Sequence, residues 1–420
     1  MQTLAQLRSG ELLGTKRLQL SEGLETFPIE IYSLVDSLEI LDLSHNRLSF
    51  LPDDLHRFTQ LKIAFFSYND FTEVPNVFRR CENLNMLGFK ANKITKFEED
   101  ILPLSINWLI LTDNKIEVLP KSIGNLSKLQ KCALAGNKIK VIPEEIKNCK
   151  NLELLRLSAN EIVELPSVLL SLPKLSWFAF SGNPCSKTPT FTVKEIAYDD
   201  LDIEERLGEG ASGEIYKAFS KTLEKEVAFK LFKGFITSDG YALDEMSAYL
   251  STGDHGSLIK VLAKLEGDKR LGLILELIPK DFINLGFPPN FQTCTRDTFE
   301  ESVSFKAESI LSIAKQISSA AAHLHDKNLM HGDLYAHNIL INSEDKTYLG
   351  DFGAASFYEG KSAAYEKIEV RAFGCLLDDL LNLCAEKNTL MYKELYALSQ
   401  KCLSEELSIR PLFNEMFIEQ

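Results

Sequence analysis

Seven asparagines recur through the first half of this 420-residue chain, and no other feature restricts its fold so tightly. Asn46, Asn69, Asn92, Asn114, Asn137, Asn160 and Asn183 lie 23, 23, 22, 23, 23 and 23 residues apart. Four of them close one pattern, Leu41-Asp-Leu-Ser-His-Asn46, Leu87-Gly-Phe-Lys-Ala-Asn92, Leu109-Ile-Leu-Thr-Asp-Asn114 and Leu155-Arg-Leu-Ser-Ala-Asn160. A degenerate copy, Leu18-Gln-Leu-Ser-Glu-Gly23, carries the series back by one more period. In each unit a short strand points two leucines inward, and the asparagine can bond backbone groups where the chain leaves the strand. Leu-Pro pairs at 51–52, 119–120 and 165–166, with Val74-Pro75 and Ile142-Pro143, turn the opposite side. One unit cannot bury its apolar face alone, so neighbours must stack.

The pattern resembles the leucine-rich repeat. It predicts an α/β solenoid of about eight units over residues 1–183, with a concave strand face available for binding. Residues between the inward leucines form that face. One column runs through Ile40, Trp108, Leu154 and Trp177, and Phe65 lies in the next. A stripe of two tryptophans, a phenylalanine and aliphatics exceeds what solubility favours, so these five residues are expected to dock a protein partner or substrate. Packing against the second half of the same chain is the other expectation.

The net charge of −14 argues against a nucleic-acid surface, which needs clustered Lys and Arg. Eight scattered cysteines without C-x-x-C pairs read as reduced, mostly buried thiols. No stretch approaches the roughly 20 apolar residues of a membrane helix, and the first residues lack the apolar centre of a signal peptide. A cytoplasmic location is expected. Residues 184–198 read as a short polar linker, and residues 199–420 as a catalytic domain.

The chemistry concentrates in His331-Gly332-Asp333-Leu334-Tyr335-Ala336-His337-Asn338, followed by Asp351-Phe352-Gly353. The apolar strand at 339–341 leaves one carboxylate and an amide on one side and leads to a second carboxylate on the other. Such oxygens suit magnesium, which keeps phosphate ligands of its own. Phosphoryl transfer further needs a group that orients the acceptor hydroxyl.

The spacing resembles the protein kinase superfamily, whose H-R-D-x-x-x-x-N loop and D-F-G motif lie in this order. Three upstream segments strengthen the likeness. Leu207-Gly-Glu-Gly-Ala-Ser-Gly-Glu-Ile-Tyr-Lys-Ala218 resembles the glycine loop over the nucleotide phosphates, and Val227-Ala-Phe-Lys230 the strand with its phosphate-gripping lysine. Leu271 to Pro279 resembles the strand and hinge beside adenine. By that resemblance the fold after the solenoid is an α+β two-lobed domain using ATP and Mg2+. Asp333 would serve as the base, Lys230 would be held by Glu245, and Asn338 and Asp351 would bind the metal. Gly208, Gly210, Gly213, Ile215, Ala228, Lys230, Leu275, Glu276 and Ile278 would form the ATP site. Asp244 stays open as an alternative to Glu245. Glu369-Val-Arg-Ala-Phe-Gly374 resembles the start of the kinase helix F, and Arg410 the arginine that in kinases pairs with the glutamate of an A-P-E triplet; no such triplet appears here, and Glu366 is a guess for its partner.

As a whole the chain is most similar to soluble leucine-rich-repeat protein kinases of the compact bacterial type, which implies transfer to a protein hydroxyl, serine or threonine first. Two departures stand out: Gly332 replaces the usual arginine and Tyr335 the usual lysine. Without that arginine, activity is expected not to depend on phosphorylation between 355 and 365. The run after Gly353 is short, so the peptide shelf is reduced. An H-G-D loop also occurs in small-molecule kinases such as aminoglycoside phosphotransferases, which is one alternative. A catalytically dead kinase-fold scaffold is another.

Overall fold

The computed structural model describes residues 2–189, 193–210, 212–234, 239–267, 270–360 and 363–417. It divides into two compact units, Met1–Leu172 and Pro173–Gln420. Part of the expected linker, 190–192, the middle of the glycine loop at 211 and the turn residues 235–238 lie outside the described residues.

The first unit opens with α1 (Leu4–Arg8), capped by Thr3, whose Oγ accepts from the Gln6 N–H at 3.2 Å. Seven three-residue strands come next: β1 (Arg17–Gln19), β2 (Ile40–Asp42), β3 (Ile63–Phe65), β4 (Met86–Gly88), β5 (Trp108–Ile110), β6 (Lys131–Ala133) and β7 (Leu154–Arg156). They pair parallel in chain order, one repeat apart, so that Ile63 stands beside Met86 and Lys131 beside Leu154. Leu41, Leu87, Leu109 and Leu155 point into the core with no more than 1% exposure. Short 3-10 turns after Pro28, Pro75, Pro120 and Pro143 cover the other side, and α2 (Ser167–Leu170) comes directly after Pro166.

Each asparagine from Asn46 to Asn160 tethers two successive turns. Asn114 Nδ2 donates to the carbonyls of Phe89 (2.8 Å) and Leu111 (3.1 Å), and its Oδ1 accepts from the Ile94 N–H at 3.0 Å. The residue before each asparagine is left-handed, with φ between 54° and 60° at His45, Tyr68, Ala91, Asp113 and Ala159. Only the side-chain amide reaches the backbone groups that this turn leaves inside. Asn114→Ala strands buried donors and acceptors, and should cost about 3 kcal/mol, read as a fall in the urea midpoint at constant slope.

The expected docking stripe is only partly open. Ile40, Phe65 and Trp108 are half-buried, and the Lys131 ammonium sits 4.1 Å from the Trp108 ring centre. Leu154 is 4% exposed and Trp177 1%, so neither belongs to an exposed face.

The second unit begins with β8 (Trp177–Ala179), the strand of the last repeat, ahead of the expected boundary at 183. Its upper lobe is a six-stranded sheet of β9 (Glu195–Ile196), β10 (Leu201–Glu209), β11 (Gly213–Ser220), β12 (Lys225–Phe232), β13 (Val261–Leu265) and β14 (Gly272–Glu276), ordered β10-β11-β12-β14-β13-β9. Val227, Phe229, Ala263 and Ile274 fill its core, and α3 (Ala242–Ser251) crosses between β12 and β13 in the chain.

The lower lobe is mainly helical: α4 (Ala307–His325), α5 (Ala363–Asn382) and α6 (Leu390–Cys402). Ile310, Ile313, Ile317, Ala321 and Leu324 recur at helical spacing along α4 and are all fully buried, which fixes the helix under the catalytic loop. Two small sheets frame that loop. One joins β15 (Ile283–Asn284), β17 (Ile339–Ile341) and β18 (Thr347–Leu349); the other pairs β16 (Leu329–Met330) with β19 (Ser356–Phe357).

Candidate active site

On β12, Lys230 points at α3 and forms a buried ion pair with Glu245, which is 1% exposed. Asp244 faces elsewhere and accepts from the Thr188 hydroxyl at 3.2 Å, so of the two carboxylates it is Glu245 that pairs with Lys230. Ser212 Oγ also donates to Glu245 Oε1 (3.3 Å). Burial works against charge on Lys230, but Tyr249, Glu245 and Asp351 outweigh it and raise its pKa. Burial also pushes the Glu245 carboxyl up, against the pull of Lys230. The ammonium is thus held by Glu245 in a field to which Asp351 also contributes. Removing Lys230 would leave Glu245 buried and unpaired.

The glycine loop is a hairpin between β10 and β11, closed by the Gly210 N–H to the Gly213 carbonyl at 2.9 Å. A Cβ at Gly213 would lie 2.5 Å from the Leu231 carbonyl, whereas one at Gly208 or Gly210 meets nothing within 4 Å. Protein packing demands the third glycine. The first two leave open space, a cradle that side chains would occupy instead of a phosphate. Ile215 pairs with Lys230 across the sheet, and Ala228 with Leu275, which is buried. The Glu276 N–H already donates to the Lys260 carbonyl (2.9 Å), so that group is committed within the protein. Ile278 lies just past the end of β14 and is half-buried.

Below, Glu369 of α5 clamps the catalytic loop. Its carboxylate accepts from the N–H groups of His331 (3.2 Å) and Gly332 (2.7 Å) and from His325 Nε2 (2.8 Å). Burial alone would raise this carboxyl, but His325, His331 and the Gly332 N–H hold it below the usual range. His331 Nε2 donates to the Gly350 carbonyl (2.9 Å), tying the loop to the strand that carries Asp351. Asn338 Nδ2 donates to the carbonyl (2.9 Å) and to Oδ2 (3.0 Å) of Asp333, locking two predicted residues together. Asp351 is left-handed (φ 55°); its N–H donates to the Tyr249 hydroxyl at 3.1 Å, and its Oδ1 accepts from Gly353. Phe352 packs between Tyr249 and His331, with ring centres 4.7 and 4.9 Å away.

Arg410 differs from expectation. Its guanidinium donates to carbonyls of Ser404, Lys367 and Pro173, while Glu366 accepts from the Phe413 N–H. Trp177 is also not a free docking residue: it stacks flat on Tyr335, with ring centres 4.4 Å apart at 4°. Ser356 and Tyr358, within the stretch expected to be dispensable, are buried. Ser356 accepts from Phe180 N, and Tyr358 meets His325 Nδ1 at 2.9 Å. Replacing them would harm packing whatever their phosphorylation does.

The sequence reading missed three contributors. Tyr249 lies four residues after Glu245 on one helix face, a spacing that could have flagged it. Glu369 stood within the helix F likeness without a role. Asp297 lies in the irregular stretch 281–304 and binds His337 through Nδ1 (2.7 Å) and N–H (3.1 Å). Burial opposes charge on His337, but Asp297, Asp333 and Asp351 raise its pKa above the ordinary 6.5. This pair should stabilise the fold fully below pH 6.5 and lose its contribution as pH rises through the higher folded value, which NMR titration of the ring would locate.

The donor set fits a magnesium nucleotide. Among the described residues no three His, Cys, Asp or Glu side chains could hold a metal alone. Asp351 and Asn338 offer one carboxylate and one amide oxygen, the sparse set that magnesium uses when phosphates complete its shell.

Comparison with known proteins finds matches in both parts of the chain. Residues 201–373 match the protein kinase domain model, and residues 104–162 and 37–58 match leucine rich repeat models. The CTD kinase subunit alpha of Schizosaccharomyces pombe is 27% identical over 183 residues, 43% of this chain and 29% of that protein. Fibroblast growth factor receptor 1 of Xenopus laevis is 26% identical over 281 residues, covering 53% and 34%. The serine/threonine-protein kinase AtPK1/AtPK6 of Arabidopsis thaliana is 31% identical over 170 residues, covering 39% and 33%. The chain spans about a third of the length of these curated relatives.

Proposed function

We propose that this chain transfers the terminal phosphoryl group of ATP to a protein hydroxyl, serine or threonine first, and that its repeats recruit a protein partner or substrate. The observation that carries the proposal is the buried Lys230–Glu245 pair between β12 and α3, with Tyr249 of the same helix accepting from the Asp351 N–H. Lys230, steadied by Glu245, grips nucleotide phosphates beneath the open side of Gly208 and Gly210. Ala228 and Leu275 wall the base, with Ile215 above it and backbone groups of Glu276 and Ile278 at its edge. Asn338 and Asp351 would hold Mg2+, which neutralises phosphate charge when bound. Asp333, held through Oδ2 by Asn338, orients the acceptor hydroxyl and takes its proton. Catalysis here is positioning and charge neutralisation.

The half-buried Ile40, Phe65 and Trp108 are the residues of the repeat face left to meet a partner. A small-molecule acceptor is the second reading, favoured by the short path from Gly353 to the start of α5 at Ala363. Free thiols, seven of the eight buried, support a reducing cytoplasm as the working compartment. Among the described residues no helix is long and apolar enough to cross a membrane. Purified chain with labelled ATP and magnesium should label itself or a generic protein, and Asp333→Ala and Lys230→Ala should not. Equal label in all three would refute the enzyme.

A further inference from the structure

We infer that the last repeat strand, β8, is a positioning element of the catalytic loop, with Trp177 as its positioning residue; this rests on the kinase reading above. The contacts bracket Asp333 on both sides. Before it, a Cβ on Gly332 would lie 2.7 Å from the Phe178 carbonyl and 2.7 Å from that of Ala354, so β8 backbone fills the space a larger residue would take. After it, Trp177 Nε1 donates to the Leu334 carbonyl (3.1 Å) and the indole lies flat on Tyr335. Tyr335 in turn meets His337 (ring centres 4.9 Å), which Asp297 holds. A stack runs from the repeat strand through the position of the usual lysine to the residue beside Asn338.

The same segment fastens the chain beyond Asp351. Ser356 Oγ accepts from the N–H groups of Phe180 (2.9 Å) and Ser181 (3.0 Å), and Ser186 Oγ donates to the Phe357 carbonyl (2.8 Å). Arg371, next but one to the Glu369 clamp, donates to Ser176 Oγ (2.6 Å) and the Lys174 carbonyl (2.9 Å). Between Gly353 and α5 the chain is too short to build such support itself, and residues 173–186 supply it. Packing and hydrogen bonds from residues 173–186 thus add to the Glu369 clamp on the loop, with no phosphate required. Both sequence departures acquire a cause: Gly332 admits β8, and Tyr335 receives Trp177.

The test uses the full chain and two variants. Trp177→Leu keeps an apolar side chain but loses the stack and the hydrogen bond; Trp177→Phe keeps a ring. In Trp177→Leu, kcat should fall at least tenfold while KM for ATP stays within twofold, because the nucleotide lobe is untouched. Amide exchange across 332–338 should quicken at least tenfold, with α4 amides unchanged as the control for global stability. Trp177→Phe should recover most of kcat while exchange at 332–338 stays faster than in the wild type, because the Leu334 bond is lost, and it carries the test if Trp177→Leu does not fold. Exchange at wild-type rate in every folded variant overturns the inference, as does a loss confined to KM or shared by α4. If the wild-type chain transfers no phosphate, the kinase reading fails and loop exchange still decides this one.

Discussion

Gly332→Arg, which restores the residue most protein kinases carry at this position, should inactivate the chain. Gly332 has φ +74°, and any Cβ there meets two backbone carbonyls that cannot retreat as a flexible side chain would. Left-handed strain costs about 1–2 kcal/mol. The clash adds to it, and the Glu369 clamp on the Gly332 N–H would be displaced. We expect Gly332→Ala to lose about 3 kcal/mol or more, within the range of severe single substitutions. Gly332→Arg should lose phosphoryl transfer by about 100-fold or beyond, as displaced catalytic groups do. Thermal melts and label transfer would be read together. A Gly332→Arg chain that melts and transfers like wild type would mean that the β8 backbone does not approach the loop as described.

Asp333→Asn should be the cleanest loss of chemistry. The substitution keeps size and the contact with Asn338 but removes the proton acceptor, and general-base removal typically costs about 10²–10⁴-fold. Nucleotide affinity should stay within a few-fold, because Lys230, Glu245 and the glycine hairpin are unchanged. The expected signature is a fall in kcat with little change in KM for ATP. A parallel fall in ATP affinity would instead make Asp333 part of the nucleotide site.

Much of this was legible because the responsible signals are local or periodic. The asparagine spacing arises because one side chain satisfies the backbone of two successive turns, so it repeats wherever the turn does. Glu245 could be narrowed to two neighbours from sequence, and helix geometry chose between them, since only one of two adjacent helix positions faces β12. Trp177 shows where such reading stops. Its place in the repeat is equivalent to that of Trp108, yet Trp177 is buried on Tyr335 and Trp108 lies half-open beneath Lys131. Periodicity specifies which way a side chain points, and says nothing of what meets it. Asp297 was unreadable for a related reason: its partner His337 is forty residues away, joined to it only by tertiary folding.

The arginines at 371 and 410 carry a practical consequence for anyone dividing this gene. Both guanidiniums are buried and spend hydrogen bonds on Pro173, Lys174 and Ser176. A catalytic piece cut at residue 199, the expected start of the catalytic domain, would bare two cations inside apolar packing and uncap Ser356. Such a fragment should come out insoluble, while one opening ahead of Pro173 keeps every one of these acceptors. The structural edge of the kinase-like unit lies inside what the sequence marks as the repeat array.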